Sequence, residues 1–282
     1  MSDSFIIADR ETFNRKISLL INGGASNLHV VSDYDKTLTK KPSEKNSNCY
    51  AKLGLKLGND YHRKDAEMFK FYYPIEISTK IPFKEKREAM HEWWEKHFRL
   101  VMDSGLNKGL LDDLIDLNLD SFREGTETFF EILSKNEVPL LVFSAGIGNL
   151  IEGSLKKNHF LTKKTYIVSN FYDFDNDGKC IGFSKDLITS IDKKEFVITN
   201  SSYLREITGR KNVILLGDSE GDIHMAEGID HDLILKIGFL VEYSEERLKL
   251  YEKLYDIVIL DGSFNEVNNI FTRILSSKLD KF

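Results

Sequence analysis

The sequence has few cysteines, no long apolar run and no excess of positive charge, and each of these excludes a class of protein. Its two cysteines, Cys49 and Cys180, are too few for a disulfide framework and predict ordinary thiols in a reduced compartment. No apolar run reaches transmembrane length, and the opening Met-Ser-Asp-Ser lacks the basic and apolar regions of a signal peptide. The 39 basic and 45 acidic residues give a net charge of −6, without any basic block. We therefore expect a cytoplasmic protein that binds neither nucleic acid nor membrane.

Apolar and charged residues are present in the proportions of a globular protein. Apolar residues make up 41% of the 282 residues, which is enough to fill a core, and the charged fraction of 30% suits a solvated surface. A chain of this length holds one large domain or a domain with an insertion.

A short apolar run ends in two carboxylates near the start of the chain. The run from Leu28 to Val31 is rich in β-branched residues and precedes Asp33, Asp35 and Thr37. It predicts a buried parallel strand, and open α/β sheets bind their ligands at the carboxyl ends of such strands. Two carboxylates this close repel each other unless a proton or a cation intervenes, and Mg²⁺ is a cation that prefers such oxygens. Alone, the pattern is more typical of a turn at a strand end, and the rest of the chain reverses this preference.

Apolar runs that predict strands alternate along the chain with amphipathic segments that predict helices. The predicted strands are 28–31, 139–143, 165–168, 179–183, 213–216, 233–237 and 257–260. The predicted helices are 10–21, 83–102, 110–119, 126–135, 151–157, 203–207 and 270–275. This alternation favours an α/β fold, a Rossmann-like parallel sheet with helices on both faces.

The composition changes between residues 47 and 123. Strand-like runs nearly vanish there, while Met90, Trp93, Trp94, Phe98 and Val101 recur at helical spacing. We predict a helical cap at 47–123, inserted after the first strand of a core that consists of residues 1–46 and 124–282. A cap can close over a site and exclude water, although a helical subdomain without a catalytic part has the same composition.

Two more of the predicted strands also end in polar residues. Ser144 follows the strand at 139–143, and Asp218 and Asp222 follow the strand at 213–216. A lysine pair, Lys193 and Lys194, lies between them in the chain. The carboxyl ends of parallel strands share one edge of a sheet, so these side chains can converge with those of the first strand.

Such a set of residues favours phosphoryl transfer. Asp33 can attack phosphorus to form an aspartyl-phosphate, and Asp35 can protonate the leaving oxygen and then deprotonate water. Mg²⁺ would bridge Asp33, Asp218 and a phosphate oxygen. The Ser144 hydroxyl, amides of the glycine-rich loop and a lysine would bind the other phosphate oxygens.

The order of these residues is similar to that of the haloacid dehalogenase superfamily of phosphotransferases: Asp-x-Asp-x-Thr, Ser, Lys, then Gly-Asp-x-x-x-Asp. Four longer stretches resemble the cytosolic 5′-nucleotidase III family, whose members are pyrimidine or 7-methylguanosine-phosphate-specific 5′-nucleotidases. They are DYDKTLT at 33–39, VFSAGIG at 142–148, SNFYDFD at 169–175 and LLGDSEGD at 215–222. The resemblance covers most of the chain from about residue 28 onward. It implies a core like that of the haloacid dehalogenases and a Mg²⁺-dependent 5′-nucleotidase.

The resemblance also implies roles for the acidic residues. Asp33 would be the nucleophile and Asp35 the acid and base, and the backbone carbonyl of Asp35 would also face the metal. Asp218 would be the third protein contact to Mg²⁺. Thr37 and Asp222 would support the site.

The same resemblance places the phosphate at three other residues. Ser144 and Ala145 would contact it, and the phosphate-binding lysine would be Lys193 rather than Lys194. These positions belong to the predicted core.

In the cap, the resemblance implies that Glu76 recognises the base and that the Trp93–Trp94 pair supplies an aromatic wall. Neighbouring helical positions point about 100° apart, so we expect one ring to pack inside and the other, assigned to Trp94, to face substrate. The family usually has a Ser further along this helix that touches substrate, and this chain carries His97 there. Each of these residues also has a purely structural interpretation. The base stays open between a pyrimidine and 7-methylguanine.

One acidic stretch imitates a calcium site. Asp173, Asp175, Asp177 and Gly178 match the opening of an EF-hand loop, but Ser184 stands at the twelfth position, where a bidentate Glu is needed. The flanking segments look like strands, so a tight turn is predicted instead.

The sequence thus predicts a monomeric enzyme that hydrolyses nucleoside 5′-monophosphates such as CMP, UMP or 7-methyl-GMP. Transfer of the phosphoryl group to a nucleoside hydroxyl would be a second outcome of the same intermediate. An alternative is a phosphatase for another small phosphomonoester, such as a phosphoamino acid, which would keep the core and differ in the cap. A scaffold that kept the fold as a binding module would instead show no metal-dependent turnover.

Overall fold

The computed structural model describes residues 4–40, 56–78, 80–117, 122–193, 202–260 and 262–276. Its strands are β1 (Phe5–Ile7), β2 (Leu28–Ser32), β3 (Leu140–Ile147), β4 (Thr165–Asn170), β5 (Tyr172–Phe174), β6 (Cys180–Phe183), β7 (Asn212–Gly217), β8 (Leu233–Phe239) and β9 (Ile257–Ile259). Its helices are α1 (Arg10–Gly23), α2 (Asn59–Glu76), α3 (Phe83–Asp103), α4 (Lys108–Asp116), α5 (Thr126–Lys135), α6 (Gly148–Lys157), α7 (Ser202–Ile207), α8 (Glu245–Leu254) and α9 (Asn265–Ser276).

Seven of these strands form one sheet, in the order β1-β9-β8-β7-β2-β3-β4. All neighbours are parallel except β1 and β9. Ser32 at the end of β2 pairs with Val142 of β3 and Leu216 of β7. The segments that follow these three pairing positions therefore emerge together at one edge of the sheet.

Helices cover both faces of the sheet, as the sequence predicts for the α/β class. One buried cluster joins β-strand residues such as Val30 and Ile214 to α1, α5, α6 and α9. The other joins Val31 and Leu215 to α7 and α8. Because side chains alternate along a strand, neighbouring apolar residues of β2 and β7 supply the two opposite faces, and these strands are buried on both sides.

Four elements of the structure were not predicted from the sequence: β1, α2, β5 and α8. β1 and β5 have three residues each, too few to show a period. α8 is dominated by charged residues and buries only Tyr251, while α2 contains Pro74 and exposes several aromatic rings. Helices of this kind depend on tertiary contacts more than on an apolar stripe.

Helices α2, α3 and α4 lie between β2 and α5 in the chain, within the segment for which a cap is predicted. Their buried residues, such as Phe98 and Leu111, pack with the β5–β6 hairpin around Cys180, a buried free thiol. Residue 47, the predicted start of the cap, and Cys49 lie outside the described residues. An isolated antiparallel bridge between Thr39 and Phe122 brings together the chain before and after these helices.

The acidic stretch at 173–178 is a tight turn between β5 and β6, as predicted. Gly178 has φ of 79°, and the Asp175 carboxylate accepts hydrogen bonds from the backbone N–H groups of Asp177 and Lys179. Among the described helices, none has the length and hydropathy needed to span a membrane.

Candidate active site

The first loop of the site follows β2 and carries Asp33, Asp35 and Thr37. Asp33 and Thr37 are buried, and Lys36 between them has a left-handed φ of 63°. Arg123 supports this backbone: its Nε donates to the Thr37 carbonyl at 2.8 Å, and its guanidinium also donates to the carbonyl of Lys36. No periodic pattern singles out a lone arginine, so this contact was not predicted from the sequence.

The second loop follows β7 and carries Asp218. The Asp222 carboxylate accepts from the backbone N–H of Asp218 at 3.0 Å and from the N–H of Ser219 at 2.9 Å. The hydroxyl of Tyr255 donates to the Ser219 carbonyl at 2.6 Å, and that of Tyr251 donates to the Asp218 carbonyl. Tyr251 lies in the last turn of α8 and Tyr255 directly follows it. This helix was missed from the sequence, so the role of the two tyrosines in holding this loop was missed with it.

The two loops bring three carboxylates together around one lysine. Asp33, Asp218 and Asp222 each offer an oxygen within 4.8 Å of the others. The buried Lys193 Nζ lies 2.5 Å from Asp33 Oδ1 and 2.9 Å from Asp222 Oδ1. Thr37 donates to Asp218 at 3.4 Å. The convergence predicted for these strand ends is therefore present.

Burial dominates the electrostatics of this cluster. It raises the pKa of Asp33 to about 7, against the opposing effect of Lys193 and with a further rise from Asp222. Burial, with the charges on Asp222 and Asp33, also raises the pKa of Asp218 well above its ordinary value. For Lys193, burial disfavours the charge, but Asp222 and Asp33 outweigh it and raise the pKa of the ammonium. The positive charge of Lys193 is therefore too little to balance the three carboxylates of Asp33, Asp218 and Asp222.

This donor set fits a divalent metal. A hard cation binds oxygen ligands such as these, which come from two separate loops. Its charge also favours the ionised form of carboxyl groups whose pKa values are raised. Asp222 already uses one oxygen for Lys193 and the other for Asp218, Ser219 and the Ser219 hydroxyl. Its carboxylate therefore holds the loop, which leaves Asp33 and Asp218 as the candidates to hold a cation.

The third strand end carries Ser144 and Ala145. A register shift between Phe143 and Ile147 of β3 falls at these residues, and such irregularities change the direction of side chains. The Ala145 carbonyl accepts from Asn170 Nδ2 at 3.0 Å and from the indole of Trp94 at 2.9 Å. The second of these bonds joins helix α3 to the phosphate end of the predicted site.

A cavity of about 500 Å³ extends from this cluster to the helices α2 and α3. All predicted catalytic and substrate-binding residues line it: Asp33, Asp35, Glu76, Trp94, His97, Ser144, Ala145 and Lys193. Lys194 lies outside the described residues. Further lining residues that were not predicted include Asp65, Phe69, Tyr73, Trp93 and Ser190.

Both tryptophans line the cavity, so the assignment of Trp94 as the ring that faces substrate stays a prediction. Trp93 stacks on Tyr72 with ring centres 5.6 Å apart, and Trp94 meets Trp93 edge-on at 5.3 Å. The two rings do diverge from the helix as expected. The cavity is wide enough to include both of them, which the spacing along one helix could not reveal.

Two polar groups occupy the far end of the cavity. Glu76 accepts a hydrogen bond of 2.5 Å from the Ser190 hydroxyl. His97 is 6% exposed; its Nδ1 lies 3.1 Å from Asp65 Oδ1, and its Nε2 lies 3.4 Å from the hydroxyl of Tyr61. Burial raises the pKa of Tyr61, so its hydroxyl keeps its proton at neutral pH.

Comparison with known proteins gives a consistent result. Residues 37–275 match the model of the family described as pyrimidine 5′-nucleotidase (UMPH-1). The 7-methylguanosine phosphate-specific 5′-nucleotidase of Mus musculus is 37% identical over 268 residues, which cover 92% of this chain and 88% of that protein.

Solved structures agree with this. The crystal structure of cytosolic 5′-nucleotidase IIIB bound to cytidine superposes with a TM-score of 0.87 and 29% identity, covering 99% of this chain and 97% of the other. A haloacid dehalogenase (HAD) family hydrolase from Salmonella enterica superposes with a TM-score of 0.58 and 13% identity over 97% of this chain and 82% of its own, which shows the fold alone.

Proposed function

The chain belongs to the pyrimidine 5′-nucleotidase (UMPH-1) family and is a 5′-nucleotidase with a haloacid dehalogenase fold, and from this premise we propose how it acts and on which bases. We take its substrate to be a pyrimidine nucleoside 5′-monophosphate such as CMP or UMP, or 7-methyl-GMP. The observation that carries the proposal is that one cavity joins Asp33 and Lys193 at one end to Glu76 and aromatic rings at the other.

Asp33 is the nucleophile. Its carboxylate oxygen attacks the phosphorus atom, the bond from phosphorus to O5′ breaks, and an aspartyl-phosphate forms. Lys193, at 2.5 Å, favours the ionised form of Asp33 and binds a phosphate oxygen once the substrate is present. The Ser144 hydroxyl and the backbone at Ala145 bind the other oxygens.

Asp35 moves the protons. It donates one to O5′ as the nucleoside leaves, and in the second step takes one from the water that attacks phosphorus. That attack breaks the acyl phosphate bond, releases inorganic phosphate and restores Asp33. Asp35 and Ser144 both line the cavity. Attack by a nucleoside hydroxyl in place of water would give phosphotransferase activity.

The divalent metal is taken to be Mg²⁺. It would be held by Asp33, Asp218 and the backbone carbonyl of Asp35, and would supply the positive charge that keeps Asp33 ionised and offsets the charge of the phosphate. Thr37 and Asp222 support this set through their contacts with Asp218.

Glu76 and the aromatic rings select the base. A carboxylate accepts hydrogen bonds from an exocyclic amine and favours a cationic ring, and cytosine and 7-methylguanine each offer one of these features. Stacking on Trp93 or Trp94 would contribute about 1–3 kcal/mol. His97 lies in the same wall and would contact the base edge. Support comes from two relatives, one named as specific for 7-methylguanosine phosphate and one solved with cytidine bound.

We further propose that residues 47–123 act as a cap on the core formed by 1–46 and 124–282, and that the protein is a cytoplasmic monomer. The name of cytosolic 5′-nucleotidase IIIB supports the location. Size-exclusion chromatography with light scattering tests the monomer.

Phosphate release from CMP, UMP, 7-methyl-GMP, AMP, GMP and phosphoserine, with Mg²⁺ and with EDTA, tests the proposal. We expect Mg²⁺-dependent turnover of CMP or 7-methyl-GMP that is lost in Asp33→Asn and kept in Asp177→Asn, a change in the exposed turn between β5 and β6. Turnover of phosphoserine alone would refute the base assignment and keep the mechanism. Full activity of Asp33→Asn would refute the mechanism.

A further inference from the structure

One loop connects Lys193 both to the core of the protein and to the helices α2 and α3, which line the other part of the cavity. Residues 184–193, here called the lysine loop, follow β6 without helix or strand and end at Lys193. Along ten residues the loop contacts the end of β4, the Asp218 loop and the helices α2 and α3. A segment without regular structure has to be fixed by such contacts, because it has no hydrogen-bonded ladder of its own.

On the side of the core, the lysine loop is fixed at two points. The side chain of Asn170 at the end of β4 accepts from the N–H of Ile188 at 2.8 Å and donates to its carbonyl at 2.8 Å. Further along, the loop backbone lies against Gly221, where a Cβ atom would come within 2.4 Å of the Ser190 carbonyl oxygen. These contacts hold the first part of the loop and leave its last two residues to other partners.

On the side of the helices, the lysine loop is fixed through Asp192. Its Oδ2 accepts from Arg87 Nε at 3.0 Å and lies 3.2 Å from His91 Nε2. Arg87 and His91 are one turn apart on α3, so both reach the same carboxylate. The Asp192 side chain is 19% exposed, while Arg87 and His91 are 56% and 40% exposed.

Asp192 and Lys193 are consecutive, yet their side chains bind opposite partners. Asp192 binds α3, and Lys193 reaches between Asp33 and Asp222 in the core. One planar peptide bond joins the two residues, so a fixed Asp192 restricts the position of the lysine backbone. Nothing else among the described contacts of residues 191–193 ties this end of the loop to α3.

We propose that Asp192 is a positioning residue that clasps the lysine loop to α3 and thereby holds Lys193 between Asp33 and Asp222. The clasp is the contact of Asp192 with Arg87 and His91. This inference rests on the proposed role of Lys193 in phosphoryl transfer. It assigns to α3 a part in the chemistry that is separate from its part in base recognition.

The clasp predicts a particular pattern of kinetic effects. Misplacing a catalytic group by a fraction of an ångström lowers the rate strongly, so we expect Asp192→Asn to lower kcat about 10- to 100-fold. Exposed ion pairs contribute little to global stability, so the melting temperature should stay close to that of the wild type. Asp192→Glu keeps the charge and should recover most of the activity.

The test uses Asp192→Asn, the helix-side variant Arg87→Gln/His91→Gln and their combination, with CMP, 7-methyl-GMP and p-nitrophenyl phosphate as substrates. Lys84→Gln is the matched control, because it removes a positive charge from an exposed position one turn before Arg87. We expect both clasp variants to lose kcat on all three substrates alike, the combined variant to lose no more than either, and Lys84→Gln to lose nothing. An equal loss on p-nitrophenyl phosphate separates the clasp from base recognition, since this substrate carries no base.

Three results would overturn the clasp: wild-type kcat in Asp192→Asn, additive losses in the combined variant, or losses confined to the nucleotides. A fall in kcat matched by a large fall in melting temperature in every variant, Asp192→Glu included, would also overturn it in favour of a structural role. The proposed function fails on a different result, which is full activity of Lys193→Met or no turnover by the wild type.

Discussion

The indole N–H of Trp94 donates a hydrogen bond of 2.9 Å to the carbonyl oxygen of Ala145, next to Ser144. A ring on helix α3 thus touches the strand end where the phosphate is expected to bind. We predict that Trp94→Phe, which keeps an aromatic ring and removes the donor, raises KM for CMP and 7-methyl-GMP about fivefold through the loss of about 1 kcal/mol. Steady-state kinetics check this. Trp93→Phe serves as the comparison, because Trp93 of α3 stacks on Tyr72 of α2. A larger rise in KM in Trp93→Phe than in Trp94→Phe would contradict the assignment.

Glu76 should determine how well the base binds. Replacing it with Gln removes the charge and keeps the shape, and hydrogen bonds to charged groups are worth about 1.5–3 kcal/mol. We therefore expect Glu76→Gln to raise KM for CMP or 7-methyl-GMP about 10- to 100-fold, with kcat for p-nitrophenyl phosphate unchanged. Glu67→Gln, an exposed position on the same helix, is the control. An unchanged nucleotide KM would remove Glu76 from the base site.

Asp222 should matter for both stability and turnover. It is fully buried and bonds to Lys193 and to the Asp218 loop. Breaking one partner of a buried ion pair costs about 3–5 kcal/mol, so Asp222→Asn should lower the free energy of unfolding by that order and abolish turnover. Urea denaturation and phosphate release measure the two effects. Glu220→Gln, at an exposed position of the same loop, should change neither; a stable, active Asp222→Asn would show that the loop holds itself.

Metal binding should stabilise the protein through Asp218. A ligand at 100 times its Kd adds about 2.7 kcal/mol to the free energy of unfolding, so saturating Mg²⁺ should raise the melting temperature by several degrees. Asp218→Asn should remove most of this rise, and Asp177→Asn, in the turn that imitates a calcium loop, should keep it. Thermal melting with increasing Mg²⁺ is the measurement. An equal rise in the wild type and in Asp218→Asn would place the metal elsewhere.

His29 should make the protein sensitive to acid. Burial, with the positive charges of His231 and Arg210, lowers its pKa to about 3 in the folded protein. Below pH about 6.5, His29 binds a proton in the unfolded chain but stays neutral in the folded protein, so acid favours unfolding. Between pH 7 and pH 5 the loss is about 2 kcal/mol. We expect His29→Gln, which can still bond to the Tyr203 hydroxyl 2.7 Å from His29 Nδ1, to lose this part of the pH dependence.

Urea denaturation at the two pH values measures the effect. His159→Gln, at an exposed position, is the control and should keep the wild-type slope. The same slope in His29→Gln as in the wild type would contradict the assignment.

The core of the site could be predicted because its residues follow a rule of the fold. Asp33, Ser144 and Asp218 each come shortly after a buried parallel strand, and such strand ends meet at one edge. The family resemblance chose Lys193 from the pair Lys193–Lys194, which does not stand directly after a strand. The position of a residue relative to a strand can be read from a sequence. Asp33, Ser144 and Asp218 could therefore be predicted without knowing which other residues contact them.

The supporting residues could not be predicted in this way. Arg123, Tyr251 and Tyr255 bind backbone carbonyls of the catalytic loops from distant parts of the chain. Each is a single residue whose partner is a backbone atom, and a backbone atom leaves no trace in the partner's sequence. The two tyrosines were further hidden by a helix whose charged composition obscured its buried side.

The bridge between Thr39 and Phe122 gives this architecture a modular character. The segment between these two residues therefore starts and ends at paired positions, so a segment of another sequence could join the core at the same two points. A replacement segment would have to provide partners for Ala145, Ser190 and Asp192. In this chain those partners are Trp94, Glu76 and Arg87, and these three contacts therefore determine which segments the core can accept.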